Sequence, residues 1–432
     1  MKKSTTKNTI NVFSLFSGYD SQFMAFTYLS SRGLVDDKFK LVGWCEIDEN
    51  AVKSHNAVFP EYSMEYNAVT NEGYYHPDVS QIDWSSLSKH IQVDILIYSS
   101  CCQSVSLTGA CEGMEKGSGT ESSLIWYVYD AIKNLKPKYC ILENVKNMVS
   151  RTFMPSFLNW QRSVDRLGYH SAAKVLDAAD FGVPQHRERL FMVSVRNDIK
   201  YQFKFPKPIP LTCSIEKLLD KVPDDSQNFY FSQEETVKYL LSVSGKDVID
   251  CSGISEPTGG KLKEQIPSLT CSRGKSKGSV KVIPTLTATG NTTFDYRNCY
   301  STSHYCKPAV LELYDGGDIQ SIPNYNEIIN NARTKTVVKK DGRTLTGMDT
   351  VFNGSKNEII GIIRKLETGQ YFRLRRFTPS EMFRFMNVPE QYINKLVASG
   401  VKEEHLYAQA GNSIVVRVLV LLYWNILQTY NY

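Results

Sequence analysis

The stretch Phe13-Ser14-Leu15-Phe16-Ser17-Gly18-Tyr19-Asp20-Ser21 decides the fold. Its apolar run reads as a strand, Ser17-Gly18 as a turn, and Ser21–Arg32 as a helix. Gly18 lets the backbone fold back tightly, and the helix N-terminus offers backbone N–H groups to an anionic ligand. Glu46 ends the next apolar run, about thirty residues on, where an acid accepts both hydroxyls of a ribose in nucleotide-binding βαβ units. Asp78 lies near the third strand, where a carboxylate can accept an adenine amino hydrogen. Further along, strands at Asn11–Phe16, Lys40–Glu46, Val93–Tyr98, Lys138–Glu143, His170–Leu176 and Leu190–Val195 alternate with helices at Ser21–Arg32, Glu49–Val58, Ser122–Leu135 and Met154–Leu167. This alternation predicts an α/β fold: a mostly parallel, Rossmann-like sheet with helices on both faces and ligands at the carboxyl ends of its strands.

After Lys200 the texture changes. Residues 206–370 carry short strand-like pieces, Gly and Pro breaks and little helical periodicity. Helices return at Pro379–Met386, Glu390–Ala398 and Asn412–Gln428. The expected domains are therefore 1–205, an inserted strand-rich domain at 206–370, and C-terminal helices at 371–432 that rejoin the first domain. At 432 residues the chain exceeds a usual single domain, which suits this division. The echo between Ile266-Pro267-Ser268-Leu269-Thr270 and Ile283-Pro284-Thr285-Leu286-Thr287 is too short to define a repeat.

The net charge of +5 permits a polyanionic partner without requiring one. Local charge says more. Lys261, Lys263, Arg273, Lys275, Lys277 and Lys281 stand against Glu264 alone, and Arg333, Lys335, Lys339, Lys340 and Arg343 against Asp341. Set among Gly, Ser and Thr, these clusters suit phosphate contact. The ten cysteines form no close-spaced CxxC pair, so no metal site is expected. The basic N-terminus lacks an apolar signal core, and Ile414–Leu427, with Arg417 and Asn425, is too short to span a bilayer. A reducing cytoplasm, free thiols and no membrane are expected.

The chemistry-bearing residues follow the sheet order. Ser100-Cys101-Cys102-Gln103 comes just after the run Val93–Tyr98, Glu143-Asn144-Val145 ends the next, and Gln185-His186-Arg187-Glu188-Arg189 opens the last. A thiol, a carboxylate and a pair of guanidiniums near strand ends can together drive nucleophilic attack on a flat heterocycle. Taken singly, each has a plain alternative: a small buried Cys, a strand-end carboxylate, an outward-facing pair of arginines.

In this order, after the cofactor-type turn, the chain resembles the DNA cytosine-C5 methyltransferase family over nearly its whole length. The resemblance implies S-adenosyl-L-methionine as cofactor and double-stranded DNA as partner, with the target base flipped out of the helix. Phe16 would stack on the adenine, Glu46 would hold the ribose and Asp78 the adenine amino group, with Ser17, Gly18, Tyr19, Ile47 and Val79 beside them. Gln409-Ala410-Gly411-Asn412-Ser413 resembles the last family motif; Asn412 and Ser413 would cap the final helix and return to the cofactor. Cys102 would add to C6, Glu143 would serve N3 and N4, and Arg189 would face O2, with Arg187 and Gln185 in support. Gln103 and the following Ser104-Val105-Ser106 fix the register on Cys102. The stretch Glu115–Leu124 looks like the link from the mobile catalytic loop (Gly109, Gly113, Gly117 and Gly119 as hinges) to the next helix. Arg373, Arg375 and Arg376 precede Phe377-Thr378-Pro379-Ser380-Glu381, similar to a family motif that braces the recognition domain.

Three departures stand out. The family's second turn glycine is missing after Gly18. Ser100-Cys101 replaces the proline that normally stiffens the turn before the nucleophile, which makes Cys101 a rival thiol. Glu121 stands where an arginine is usual. The expectation is a monomeric cytosine-C5 methyltransferase of bacterial or phage type, solitary or restriction-linked. An RNA cytosine methyltransferase, a variant sulfonium donor and a non-catalytic DNA-binding protein on the same scaffold stay open.

Overall fold

The structure is a computed structural model that describes residues 9–100, 120–200, 203–211, 215–220, 229–230, 248–250, 257–258, 261–262, 310–313, 344–346, 348–352, 361–365 and 371–430. Cys101, Cys102 and the loop to Gly119 lie outside the described residues, as do the two echoing phrases and both basic clusters apart from Lys261. The chain divides into two compact units. One holds Met1–Cys213 and Phe383–Tyr432, the other Ser214–Pro284 and Gly290–Met382.

The first unit is built on a seven-stranded sheet: β1 Thr9–Leu15, β2 Lys38–Cys45, β3 Tyr75–His76, β4 Ile95–Tyr98, β5 Tyr139–Val145, β6 Tyr169–Asp177 and β7 Glu188–Arg196. Their spatial order is β3-β2-β1-β4-β5-β7-β6. The pairs among β1 to β5 are parallel, while β7 runs antiparallel to both β5 and β6. The chain winds outward from β1 in one direction and resumes at β4 on its other side. The crevice between the carboxyl ends of β1 and β4 is therefore the switch point where open α/β sheets bind ligands.

Strand periodicity assigns the two faces. Phe13 and Leu15 of β1 join the core with Leu96 and Tyr98 of β4 and with Ile125, Val128, Ile132, Phe157 and Trp160 of the helices Ile125–Leu135 and Met154–Asp165. Ser14, on the opposite face, donates to Asp20 and Gln22 of the turn and of helix α1 (Ser21–Ser31). Helix α1 buries Phe23, Met24, Phe26 and Leu29, and Phe26 stacks on Tyr423 of the last helix, Val416–Tyr430, at 4.0 Å between centroids. A Cβ on Gly43 of β2 would sit 2.2 Å from the Phe13 ring, so glycine is required where these strands pack.

The structure corrects three sequence-based boundaries and adds one strand direction. β4 starts at Ile95 rather than Val93, because Asp94 turns its carboxylate to the Asn11 N–H (2.9 Å) and Lys138 (3.0 Å). The helix expected from Ser122 begins as a 3-10 turn over Glu121–Leu124. The last strand is antiparallel, since the short link after Asp177 holds no crossover helix. Asn412 does not open the final helix: it ends the helix Glu403–Asn412, Ser413 is its C-cap, and the next helix begins at Val416.

In the second unit, a four-stranded antiparallel sheet has the order Val310–Leu313, Tyr371–Arg375, Gly361–Lys365, Met348–Phe352. Two shorter pairings join Pro257–Thr258 to Lys261–Leu262 and Val248–Asp250 to Thr344–Thr346.

Candidate active site

Beyond β1 the chain alternates into the left-handed region at Phe16 (φ 54°), Gly18 (φ 58°) and Asp20 (φ 64°). A bulky residue held at positive φ is strained, and such strain concentrates at functional sites. Glu46 anchors this turn. Its Oε2 accepts the Gly18 N–H at 2.8 Å, and its Oε1 accepts the N–H groups of Ile47 and Asp48, each at 2.9 Å. One carboxylate thus ties the turn after β1 to the turn after β2. Burial pushes its pKa up, while the three N–H donors pull it down. Three of the carboxylate's four lone-pair positions are thereby used, which leaves Oε2 one for a ligand hydroxyl. Ile47 stands 73% exposed beside it, a surface on which a ring can lie.

Asp78 follows β3 and accepts the Ser80 N–H at 2.8 Å. Val79 turns its side chain into the core, so only its backbone can meet a ligand. Ser17 is buried and its N–H donates to the Cys45 carbonyl at 3.1 Å. Tyr19 is also buried; its hydroxyl donates to Ser413 Oγ at 2.7 Å, and its ring meets Phe383 edge-on. Burial holds this phenol far above its usual pKa, so it stays neutral. Asn412 is exposed.

The start of α1 differs from the open anion site expected from sequence. Asp20, fully buried, accepts the Phe23 N–H at 2.8 Å and caps the helix itself, with His55 Nε2 3.5 Å from its second oxygen. His55 stacks on Trp44 at 3.5 Å. A buried carboxylate at this helix end disfavours a ligand carboxylate in the same place.

At the carboxyl ends of β4 and β5, two consecutive residues grip two others. Ser99 Oγ donates to Glu143 Oε2 at 2.7 Å, and Asn144 Nδ2 donates to the Ser100 carbonyl at 3.0 Å. Arg189 Nε lies 3.3 Å from Glu143 Oε1. Glu143 is 4% exposed. Burial raises its pKa, against the opposing pull of Arg189, the Ser99 hydroxyl and Arg187. A carboxyl group so placed keeps its proton to higher pH than a solvated one and can deliver it to a ring nitrogen.

The two expected supporting residues face the scaffold. Arg187 Nη2 donates to the carbonyls of Gly411 and Ser413, both at 2.7 Å. Gln185 Nε2 donates to the Phe385 carbonyl at 3.0 Å. The structure therefore brings together Glu143, Arg189 and Arg187, and links Tyr19 through Ser413 to Arg187. Cys101 and Cys102 follow Ser100 in sequence and lie outside the described residues. Cys45 and Cys140 are free thiols buried in the sheet, with pKa values pushed far up by burial, so neither forms a ready nucleophile. Sequence reasoning missed Ser99, Asn144 and Asp20. The hint for Ser99 was a hydroxyl-bearing pair before the thiol, where proline is usual.

A mostly parallel sheet thus carries Glu46, tied to the turn after β1, and the Glu143 carboxyl gripped at the ends of β4 and β5. The family model described as C-5 cytosine-specific DNA methylase matches residues 10–428, and the chain belongs to that family. Among similar proteins, the orphan methyltransferase M.SPRI of Bacillus phage SPR is 26% identical over 98% of both chains. The type II methyltransferase M.HhaI of Haemophilus parahaemolyticus is 34% identical over 38% of this chain and 50% of its own. The solved Entamoeba histolytica methyltransferase EhMeth shares the fold at a TM-score of 0.59 and 14% identity, covering 98% of this chain and 99% of its own. The protein is a cytosine C5 methyltransferase.

Proposed function

We propose that the chain transfers a methyl group from S-adenosyl-L-methionine to cytosine C5 in double-stranded DNA, acting on a flipped-out base through Cys102. The observation that carries this reading is the Glu143 carboxyl, buried and held between Ser99 and Arg189 at the exit of the Cys102 loop. Cytosine C5 is a poor nucleophile. Addition of the Cys102 thiolate to C6, with Glu143 giving a proton to N3, makes the ring enamine-like. Arg189 steadies the carboxyl through Nε and has further N–H donors for the base O2. Bound S-adenosyl-L-methionine supplies an electrophilic methyl on its sulfonium. Loss of the C5 proton to water then expels the Cys102 thiolate, and N3 returns its proton to Glu143, which restores the neutral aromatic ring.

On the cofactor side, Glu46 would receive the ribose hydroxyls, Asp78 the adenine amino group, and Phe16 and Ile47 the ring faces. The strained Phe16 and the partly exposed Glu46 carboxylate fit such a ligand. Residues 206–370, set between the catalytic segments 1–205 and 371–432, would read the DNA, with the two basic clusters on its phosphates. Cytoplasmic work as a monomer, of bacterial or phage type, completes the reading.

The test is to incubate the purified protein with mixed-sequence duplex DNA and S-adenosyl-L-methionine, then measure nucleosides by mass spectrometry. A 5-methylcytosine peak is expected. Product on RNA alone would move the substrate to RNA, and no product on either would overturn the reading. A second expectation concerns Tyr19→Phe. It removes one neutral hydrogen bond to Ser413, worth about 1 kcal/mol. The KM for S-adenosyl-L-methionine should rise about fivefold with kcat within twofold. An unchanged KM would free Tyr19 from the cofactor pocket.

A further inference from the structure

We infer that Ser99 is a positioning residue for Glu143, replacing part of the stiffening that proline gives elsewhere in the family. This inference rests on the reading of Glu143 as the group that serves the cytosine ring.

The chain enters the cysteine loop without proline, yet its entry is fixed twice. Asn144 holds the Ser100 carbonyl at 3.0 Å and the Ser100 hydroxyl at 3.3 Å. One residue earlier, the Ser99 hydroxyl donates to Glu143 Oε2 at 2.7 Å. The pair 99–100 is thereby locked in register with the pair 143–144. Asn144 anchors backbone, whereas Ser99 reaches the reactive carboxyl itself. Arg189 approaches the other oxygen at 3.3 Å, so the carboxyl is gripped at both oxygens and its plane is set.

A hydroxyl suits this place in a way a second cation would not. Its rotor donates to a carboxylate and accepts from a carboxylic acid, so Oε2 keeps a partner in either state. The other groups around Glu143 are fixed in charge. Arg189, in β7, and Arg187, just before it, both lower its pKa. Tyr423, from the last helix, is fully buried with its pKa held far up, and stays neutral. Ser99 is thus the neighbour whose removal changes the preference of Glu143 without adding or removing charge.

The sign follows from the donor role. The Ser99 O–H favours ionised Glu143, so its loss raises the Glu143 pKa further. Whichever limb of the rate profile reports Glu143, that limb moves to higher pH.

Three variants test this. Ser99→Ala should lower kcat about tenfold and shift the Glu143 limb of the kcat/KM profile to higher pH. Ser99→Thr keeps the hydroxyl and should restore both. Glu143→Gln identifies the limb, which disappears in that variant. The carboxyl stretch of Glu143, followed by infrared difference against Glu143→Gln in the free protein, gives the same titration without turnover. An unmoved infrared titration and a coincident profile in Ser99→Ala would overturn the inference. Full activity in Glu143→Gln would instead overturn the reading of Glu143 on which it rests.

Discussion

Cys102→Ser is expected to abolish methyl transfer, a loss of roughly 10⁴-fold or more, because a serine hydroxyl stays un-ionised at neutral pH and is a far poorer nucleophile than a thiolate. Cys101→Ser should leave turnover within about threefold, the size of a small packing change. The contrast matters because the chain presents two adjacent thiols where the family normally presents proline and then cysteine. A single thiolate adds to C6, so the two variants assign the reaction to one thiol or the other. The Asn144 bond to the Ser100 carbonyl fixes the segment one residue before Cys101, which makes slippage between the thiols costly. Single-turnover assays with both variants decide the register. Full loss in Cys101→Ser with retained turnover in Cys102→Ser would exchange their roles. Trapping a covalent complex on DNA with a C5-fluorinated cytosine, lost only in Cys102→Ser, checks the same point without relying on rate.

Much of this site was legible in the sequence. Phe13–Ser21 announced strand, turn and helix because alternation, a glycine and a helical run fall at spacings that only a βαβ start satisfies. Glu46 and Glu143 were readable because each ends an apolar run, and strand ends are where an α/β sheet presents ligands. Strand direction was less visible. The link between β6 and β7 has no helical period, and that was the available sign of an antiparallel return. The break after Asn412 was hidden because Arg187, far away in sequence, takes the carbonyls of Gly411 and Ser413 that a continuous helix would use itself. Asp20 was hidden for a similar reason. As a sequence letter it is a lost glycine, yet in the fold it adopts the left-handed turn, caps α1 and meets His55. Tertiary partners decided these positions, and local propensity carried no trace of them.

The second large effect is expected in the other unit. Arg375→Ala should destabilise that unit by about 3–5 kcal/mol, the usual result of leaving one member of a buried ion pair alone. Arg375 and Glu381 are both fully buried. The guanidinium meets the carboxylate through two bonds, Nη1 to Oε2 at 2.8 Å and Nη2 to Oε1 at 2.7 Å. The Glu381 oxygens also accept the Thr378 N–H at 2.8 Å and the Asp220 N–H at 2.7 Å. Arg375 further reaches the carbonyls of Arg376 and Asp220. The arginine run before Phe377-Thr378-Pro379-Ser380-Glu381 thus includes a charge committed to the interior. Arg375→Lys should recover little, since an ammonium cannot span both carboxylate oxygens in the same fork. A thermal scan of the full chain should show its transition lowered by about 10 °C in both variants. A scan of Arg375→Ala that overlays the wild type would mean that water or a rearranged side chain satisfies Glu381 in place of the guanidinium. If the pair instead serves to brace a DNA-reading surface, Arg375→Ala at low temperature should raise the KM for DNA while leaving that for S-adenosyl-L-methionine unchanged.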